Sequence, residues 1–131
     1  MSLYRISDRH PTYRQRYFDG LDLKGLPAYS ADGAKSGYVV DILINETDEI
    51  AYLVLSVGSG LATWFGDRKK VVLPANAYRH HALQNRISID VLTQAQIKSL
   101  PKYEKNQRLD DVYEAAISKE TCHIEKLPLS V

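Results

Sequence analysis

Two apolar runs, Gly37–Asn45 and Ile50–Val57, lie one after the other with only the polar stretch Glu46-Thr47-Asp48-Glu49 between them. Each has the length of a strand, and four polar residues suit a turn between strands. The first run alternates. Val40, Ile42 and Ile44 fall on one side, and Asp41 and Asn45 share the other with Val39 and Leu43. One face is therefore expected to be core and the opposite face mixed.

The same texture continues on both sides. Leu26–Ser30 reads as a strand, and Asp32-Gly33 as the tight turn after it. Thr63–Phe65 and Lys69–Leu73 flank Gly66-Asp67-Arg68, which reads as a hairpin connection with Gly66 at positive φ, and Pro74 ends the second of these strands. Ala77–His81 is a further short strand. Asn85–Val91 closes the series, with Ile87, Ile89 and Val91 alternating against Ser88 and Asp90. Short strands at this spacing indicate a sandwich or small barrel. The expected core is Val40, Ile42, Ile44, Leu53, Leu55, Val71, Leu73, Ile87 and Ile89.

The sequence turns helical after residue 92. Thr93-Gln94-Ala95-Gln96 is a capping box, with Leu92 and Ile97 at the staple positions, and Pro101 stops that helix after about two turns. A second helix is expected over residues 107–119. Its stripe is Leu109, Val112, Tyr113, Ala116 and Ile117, and Asp110, Asp111 and Glu114 form its polar side. Residues 1–25 mix aromatic and basic groups without periodicity and read as an irregular or partly helical lead-in. The organisation expected is thus a lead-in (1–25), a β domain (26–103), and a helix with a tail (104–131).

Composition narrows the function classes. In 131 residues, 44% are hydrophobic and 25% charged, with a formal net charge of +1. That is one soluble domain with no global pull towards nucleic acid or membrane. No apolar run approaches the ~20 residues of a membrane span, and Met1–Arg5 has no apolar leader core. A single cysteine, Cys122, forms no internal disulfide, which fits a reducing, cytoplasmic setting.

Chemistry-bearing patterns are sparse. Of the four histidines, His10 and His123 stand apart, and His80 and His81 are neighbours that a strand would point to opposite faces. No metal-ligand spacing is present. Gly58-Ser59-Gly60 starts like a dinucleotide fingerprint, but position 63 is threonine and no helix follows. Glu46, Asp48 and Glu49 read as a solvated turn. Neither a catalytic site nor a metal or cofactor is expected. The interaction candidates are Trp64 with the basic run Arg68, Lys69 and Lys70, where charge beside an aromatic suits single-stranded RNA, and the helix stripe Leu109, Val112, Tyr113 and Ile117. A stripe that wide needs cover. A short barrel offers little, so a homodimer through this helix is expected, against the alternative of the helix folding back on its own barrel.

The order of blocks also resembles a known family. Gly37-Tyr38-Val39-Val40-Asp41-Ile42-Leu43-Ile44-Asn45-Glu46 is similar to the signature strand of PRC-barrel domains: a glycine, a hydrophobic strand containing an aspartate, then an acidic turn. Ala51–Leu55 looks like the next strand of that family. Trp64–Pro74 resembles its glycine turn and aliphatic strand, and Thr93–Tyr103 its closing helix with a leucine-proline-x-aromatic stop. The resemblance covers residues 24–103, and the lead-in is similar to that of stand-alone forms in photosynthetic bacteria. It implies a mainly β fold, a small barrel of about six short strands with one or two short carboxy-terminal helices. It further implies a docking role without catalytic residues. The family includes the cytoplasmic domain of the photosynthetic reaction-centre H subunit and the carboxy-terminal domain of a ribosome maturation factor. Partners in photosynthetic or membrane-bound assemblies are therefore expected first, and the ribosome or RNA second. Asn45 departs from the pattern, replacing the acidic residue common at the end of the signature strand.

Overall fold

The computed structural model describes residues 3–9, 23–47, 49–57, 69–104 and 107–125. Its strands are β1 (Tyr4–Arg5), β2 (Pro27–Ser30), β3 (Lys35–Ile44), β4 (Ile50–Val57), β5 (Lys69–Pro74), β6 (Arg79–His81) and β7 (Arg86–Ile89). Its helices are α1 (Ile6–Arg9), α2 (Gln94–Lys98) and α3 (Asp111–Glu125). The strands make one sheet in the order β5-β4-β3-β2-β7-β6, with β1 pairing to β3 beside that path. All pairings are antiparallel except β2 with β7. The sheet is open, because β5 and β6 are its two ends and a 3-10 turn at Ala75–Ala77 joins them. That turn takes up Ala77, which was expected in a strand.

Turn chemistry fixes the hairpins. Between β2 and β3, Gly33 lies at φ +80° and its N–H donates to the Ser30 carbonyl at 2.9 Å, a conformation in which glycine avoids a Cβ clash. Between β3 and β4, the Asn45 side-chain oxygen accepts from the Thr47 N–H (3.0 Å), the Thr47 hydroxyl (2.7 Å) and the Glu49 N–H (3.0 Å). The asparagine thus organises the turn where the family pattern has an acid. Thr63–Phe65, Gly58-Ser59-Gly60 and Gly66 lie outside the described residues.

The inner face of the sheet holds the main core. Val39, Ile42, Ile44, Leu53, Leu55, Val57, Val71, Leu73, Ile87 and Ile89 are all 1% exposed or less. Val40 is the exception among the expected core residues, at 36% exposed. The pairing explains it. Val39 lies opposite Leu55 and Asp41 opposite Val54, so Val40 is the extra residue of a β-bulge. The bulge reverses the alternation, sending Val39 inward and Val40 outward.

The capping box of α2 forms as expected. Gln96 N–H meets the Thr93 hydroxyl at 3.3 Å, and Thr93 N–H meets the Gln96 side chain at 2.8 Å. Leu92 and Ile97 are both buried in the core. The helix is shorter than expected, ending at Lys98 with Ser99 as its cap. The chain then runs along the outer edge of β5. Val72 N–H donates to the Pro101 carbonyl at 2.9 Å, and Tyr103 N–H to the Lys70 carbonyl at 2.8 Å. An edge that would otherwise invite foreign strands is covered in this way.

The outer face of β3, β4 and β5 is apolar too. Leu43, Tyr52, Val54 and Val72 form a second cluster with Leu3, Tyr103 and Ile117, and Leu109 and Tyr113 pack against it. α3 lies over this face, using Tyr113, Ile117 and Thr121, one residue per turn. Asp110 caps it by accepting the Tyr113 N–H at 2.9 Å, so the helix starts at Asp111 rather than 107. Two members of the expected stripe are corrected. Val112 is 79% exposed, and Ala116 is exposed. The outer cluster takes in a single row of side chains from this segment, and residues one position before that row turn outward. The helix therefore folds back on its own sheet, and the reason given for expecting α3 to seek a second chain is removed.

Two predictions follow from this packing. Ile117→Asp places an unpaired charge in the outer cluster and should lower stability by about 3 kcal/mol or more in urea unfolding, whereas Val112→Asp should stay within about 0.5 kcal/mol. Equal effects would contradict the orientation of α3. A Cβ at Gly37 would lie 2.2 Å from the Ser56 carbonyl oxygen, which is backbone and cannot step aside. Gly37→Ala should therefore cost about 1–3 kcal/mol, and an unchanged melting temperature would show that β3 and β4 are not held that close.

Candidate interaction surface

The two sequence-derived candidates are described only in part. Trp64 and Arg68 lie outside the described residues. Lys69 and Lys70 open β5. The Lys69 ammonium donates to the Lys98 carbonyl at 2.7 Å, an exposed contact. There it serves the carboxyl end of α2, where a cation is favoured. Lys70 is half-buried opposite Ser56. Of the helix residues, Leu109, Tyr113 and Ile117 belong to the outer cluster, and only Val112 faces solvent.

What the fold does create is a cleft between α2 and α3. It has a volume of about 350 Å³ and is lined by Leu92, Ala95, Ser99, Leu100, Pro101 and Glu120, among others. Leu92, Leu100 and Pro101 are buried and form an apolar floor, while Ala95, Ser99 and Glu120 are exposed around it. Apolar floors with a few polar groups at the rim are the usual form of binding clefts. Residues 92–101, in and around α2, supply most of it, and Glu120 of α3 closes it from a distance in sequence.

A second assembly sits where the amino-terminal segment meets β3 and the carboxy-terminal segment. The Asp41 carboxylate lies 3.9 Å from the Arg5 guanidinium and 3.8 Å from the Lys24 ammonium, and it accepts the Ile42 N–H at 2.8 Å. Arg5 also approaches Asp8 at 3.9 Å, donates to the Gln107 carbonyl, and lies 5.5 Å from the centre of the Tyr103 ring. Tyr103 and Tyr113 meet edge to face at 6.5 Å. Burial pushes both phenols above the usual tyrosine range. The Tyr113 hydroxyl donates to the Lys102 carbonyl at 2.9 Å, whereas the Tyr103 hydroxyl is buried without a hydrogen-bond partner among the described residues. An aspartate held by two cations and an amide ties the amino-terminal segment to β3. Sequence placed Asp41 on the mixed face but gave no sign of its distant partner Arg5.

The remaining candidates are dispersed. His81 Nε2 lies 2.8 Å from the Ser88 hydroxyl, and His80 is exposed on β6. His10 lies outside the described residues. Among the described residues no group of three or more His, Cys, Asp or Glu side chains could hold a metal. No helix among them is long and apolar enough to cross a membrane.

Comparison with known proteins agrees with the architecture. No curated protein matches the chain. The PRC-barrel domain profile matches residues 16–96, more than half of the sequence. The match takes in β2 to β7 and the start of α2, including the glycine and aspartate of β3, and leaves β1, α1 and α3 outside it. The chain belongs to the PRC-barrel domain family.

Proposed function

We propose that this protein is a non-enzymatic docking module that binds another protein through the cleft between α2 and α3. The cleft carries the reading. It is the place where apolar side chains of the core, Leu92 and Leu100, line an accessible hollow. Anchor pockets of that kind supply most of the energy in protein recognition. The partner we favour belongs to a membrane-bound assembly of the photosynthetic type, and this part rests on the family resemblance. The protein would act from the cytoplasm and meet such an assembly at a protein surface. The ribosome-associated reading draws on Lys69, Lys70 and Lys98, which lie near one another at the start of β5 and the end of α2. It is weaker, because Lys69 is already bonded to the helix end. A homodimer would now use the outward side of α3 around Val112, since Tyr113 and Ile117 are occupied in cis.

Ala95→Arg fills the cleft from an exposed position and should leave the fold intact. The tagged chain is expected to co-purify with a stoichiometric protein partner from its native cell, and Ala95→Arg to reduce that recovery at least about tenfold. Equal recovery would remove the cleft from the account. Ribosomal proteins as the main partners would establish the second reading in place of the first.

A further inference from the structure

The outer face of the sheet is divided. α3 covers the half built on Leu43, Val54 and Val72. The other half, on β7, β2 and the start of β3, carries a row of cations and aromatic rings. Tyr29 on β2 lies directly opposite Lys35 on β3, and Pro27 opposite Tyr38. The register shifts between these pairs, so Ser36 is the extra residue of a bulge and is buried at 1% exposed. The bulge brings Lys35 to the side of Tyr38. Its ammonium is 2.8 Å from the Tyr38 hydroxyl and 4.3 Å from the ring centre. On the other flank the Arg86 guanidinium lies 5.2 Å from the centre of the Tyr29 ring. The second bulge turns Val40 out beside Tyr38, each of them 36% exposed. Two irregularities of β3 thus set Lys35 beside Tyr38 and turn Val40 out on the other side of that ring.

We propose that this face docks an acidic peptide segment carrying apolar anchor residues. The inference rests on the reading of the chain as a docking module and adds a surface and a partner chemistry to it. Charge complementarity is the first argument. Arg5, Lys24, Arg79, Lys102 and Arg108 each lie within 3.9 Å of a carboxylate. Among the described residues Lys35 and Arg86 meet none. Arg86 donates from Nε to the Gln84 side chain at 2.8 Å. That bond fixes the guanidinium and leaves its terminal amino groups for a carboxylate. The composition is the second argument, since tyrosine and arginine around an exposed aliphatic group are typical of protein-recognition surfaces. Single-stranded RNA suits the face less well. Base stacking needs an open ring face, and here the cations sit over the rings of Tyr29 and Tyr38. The net charge of +1 offers little of the long-range attraction that nucleic acid binding uses.

The test is an amide-shift titration of the isotope-labelled full chain with a short synthetic peptide of glutamate alternating with leucine and phenylalanine. Saturable shifts are expected at Tyr29, Lys35, Tyr38, Val40 and Ser88, weakening as salt is raised. Lys35→Glu with Arg86→Glu should reduce affinity at least about tenfold with an unchanged amide spectrum elsewhere, and the Gln pair should fall between. Absent shifts, or affinity insensitive to both variant pairs, would overturn the proposal. Shifts confined to Ala95, Ser99 and Glu120 would overturn it while leaving the docking module and its cleft standing. Tighter binding of a uridine oligonucleotide of equal length would assign the face to RNA instead.

Discussion

Strand β4 is buried on both sides, and the rest of the molecule answers that constraint. From Tyr52 to Val57 no residue is more than 7% exposed. Leu53, Leu55 and Val57 point to the inner core, and Tyr52 and Val54 to the outer face, with Val54 wholly enclosed. Each such side chain contributes about 1.5–3 kcal/mol on burial, but only where both faces are covered. β2, β7, α1 and α2 supply the inner cover through Ala28, Ile87, Ile89, Ile6 and Ile97. Leu3, Tyr103 and α3 supply the outer one. The segments flanking the family match are thereby part of the core. A strand apolar on one face only would have no use for them.

Polar contacts then fix where the covers sit. Arg5 and Lys24 both converge on Asp41 along the edge of β3 opposite β4, and Arg5 reaches on to the Gln107 carbonyl and the Tyr103 ring. Ion pairs of this partial exposure contribute modestly, but these set register more than energy. They tie the amino-terminal segment, the signature strand and the approach to α3 at one point. At the other edge, the backbone bonds of Pro101 and Tyr103 to β5 lead the chain from α2 to α3. Among the described residues, α3 does not extend over the cationic, aromatic half of the outer face.

The main core was legible because burial in a strand follows period two, and Leu53, Leu55, Val71, Leu73, Ile87 and Ile89 obey it. The capping box was legible because its two hydrogen bonds lie within four residues. Val40 was misplaced because a bulge depends on which residue of the partner strand takes the odd position, as Leu55 and Val54 do here. Val112 and Ala116 were misplaced because helical periodicity gives a stripe but no width. The width comes from the surface beneath, and here only the row of Leu109, Tyr113 and Ile117 meets the outer cluster. The candidate surfaces were the least legible part. The α2–α3 cleft joins Ala95 to Glu120, and the second face joins Tyr29 to Arg86 through a parallel pairing that no local spacing encodes.

The functional account depends on α3 being a fixed part of the protein, since its Glu120 closes the cleft and its Tyr113 and Ile117 cover the half of the outer face built on Val54 and Val72. Hydrogen exchange of the intact chain tests this most directly. The amides of α3 around Ile117, together with those of Val72 and Tyr103, should be protected alongside the β3–β4 ladder, to the same degree at every protein concentration. Rapid exchange of α3 over a protected sheet, or protection that grows with concentration, would contradict the account and return the helix to a partner chain.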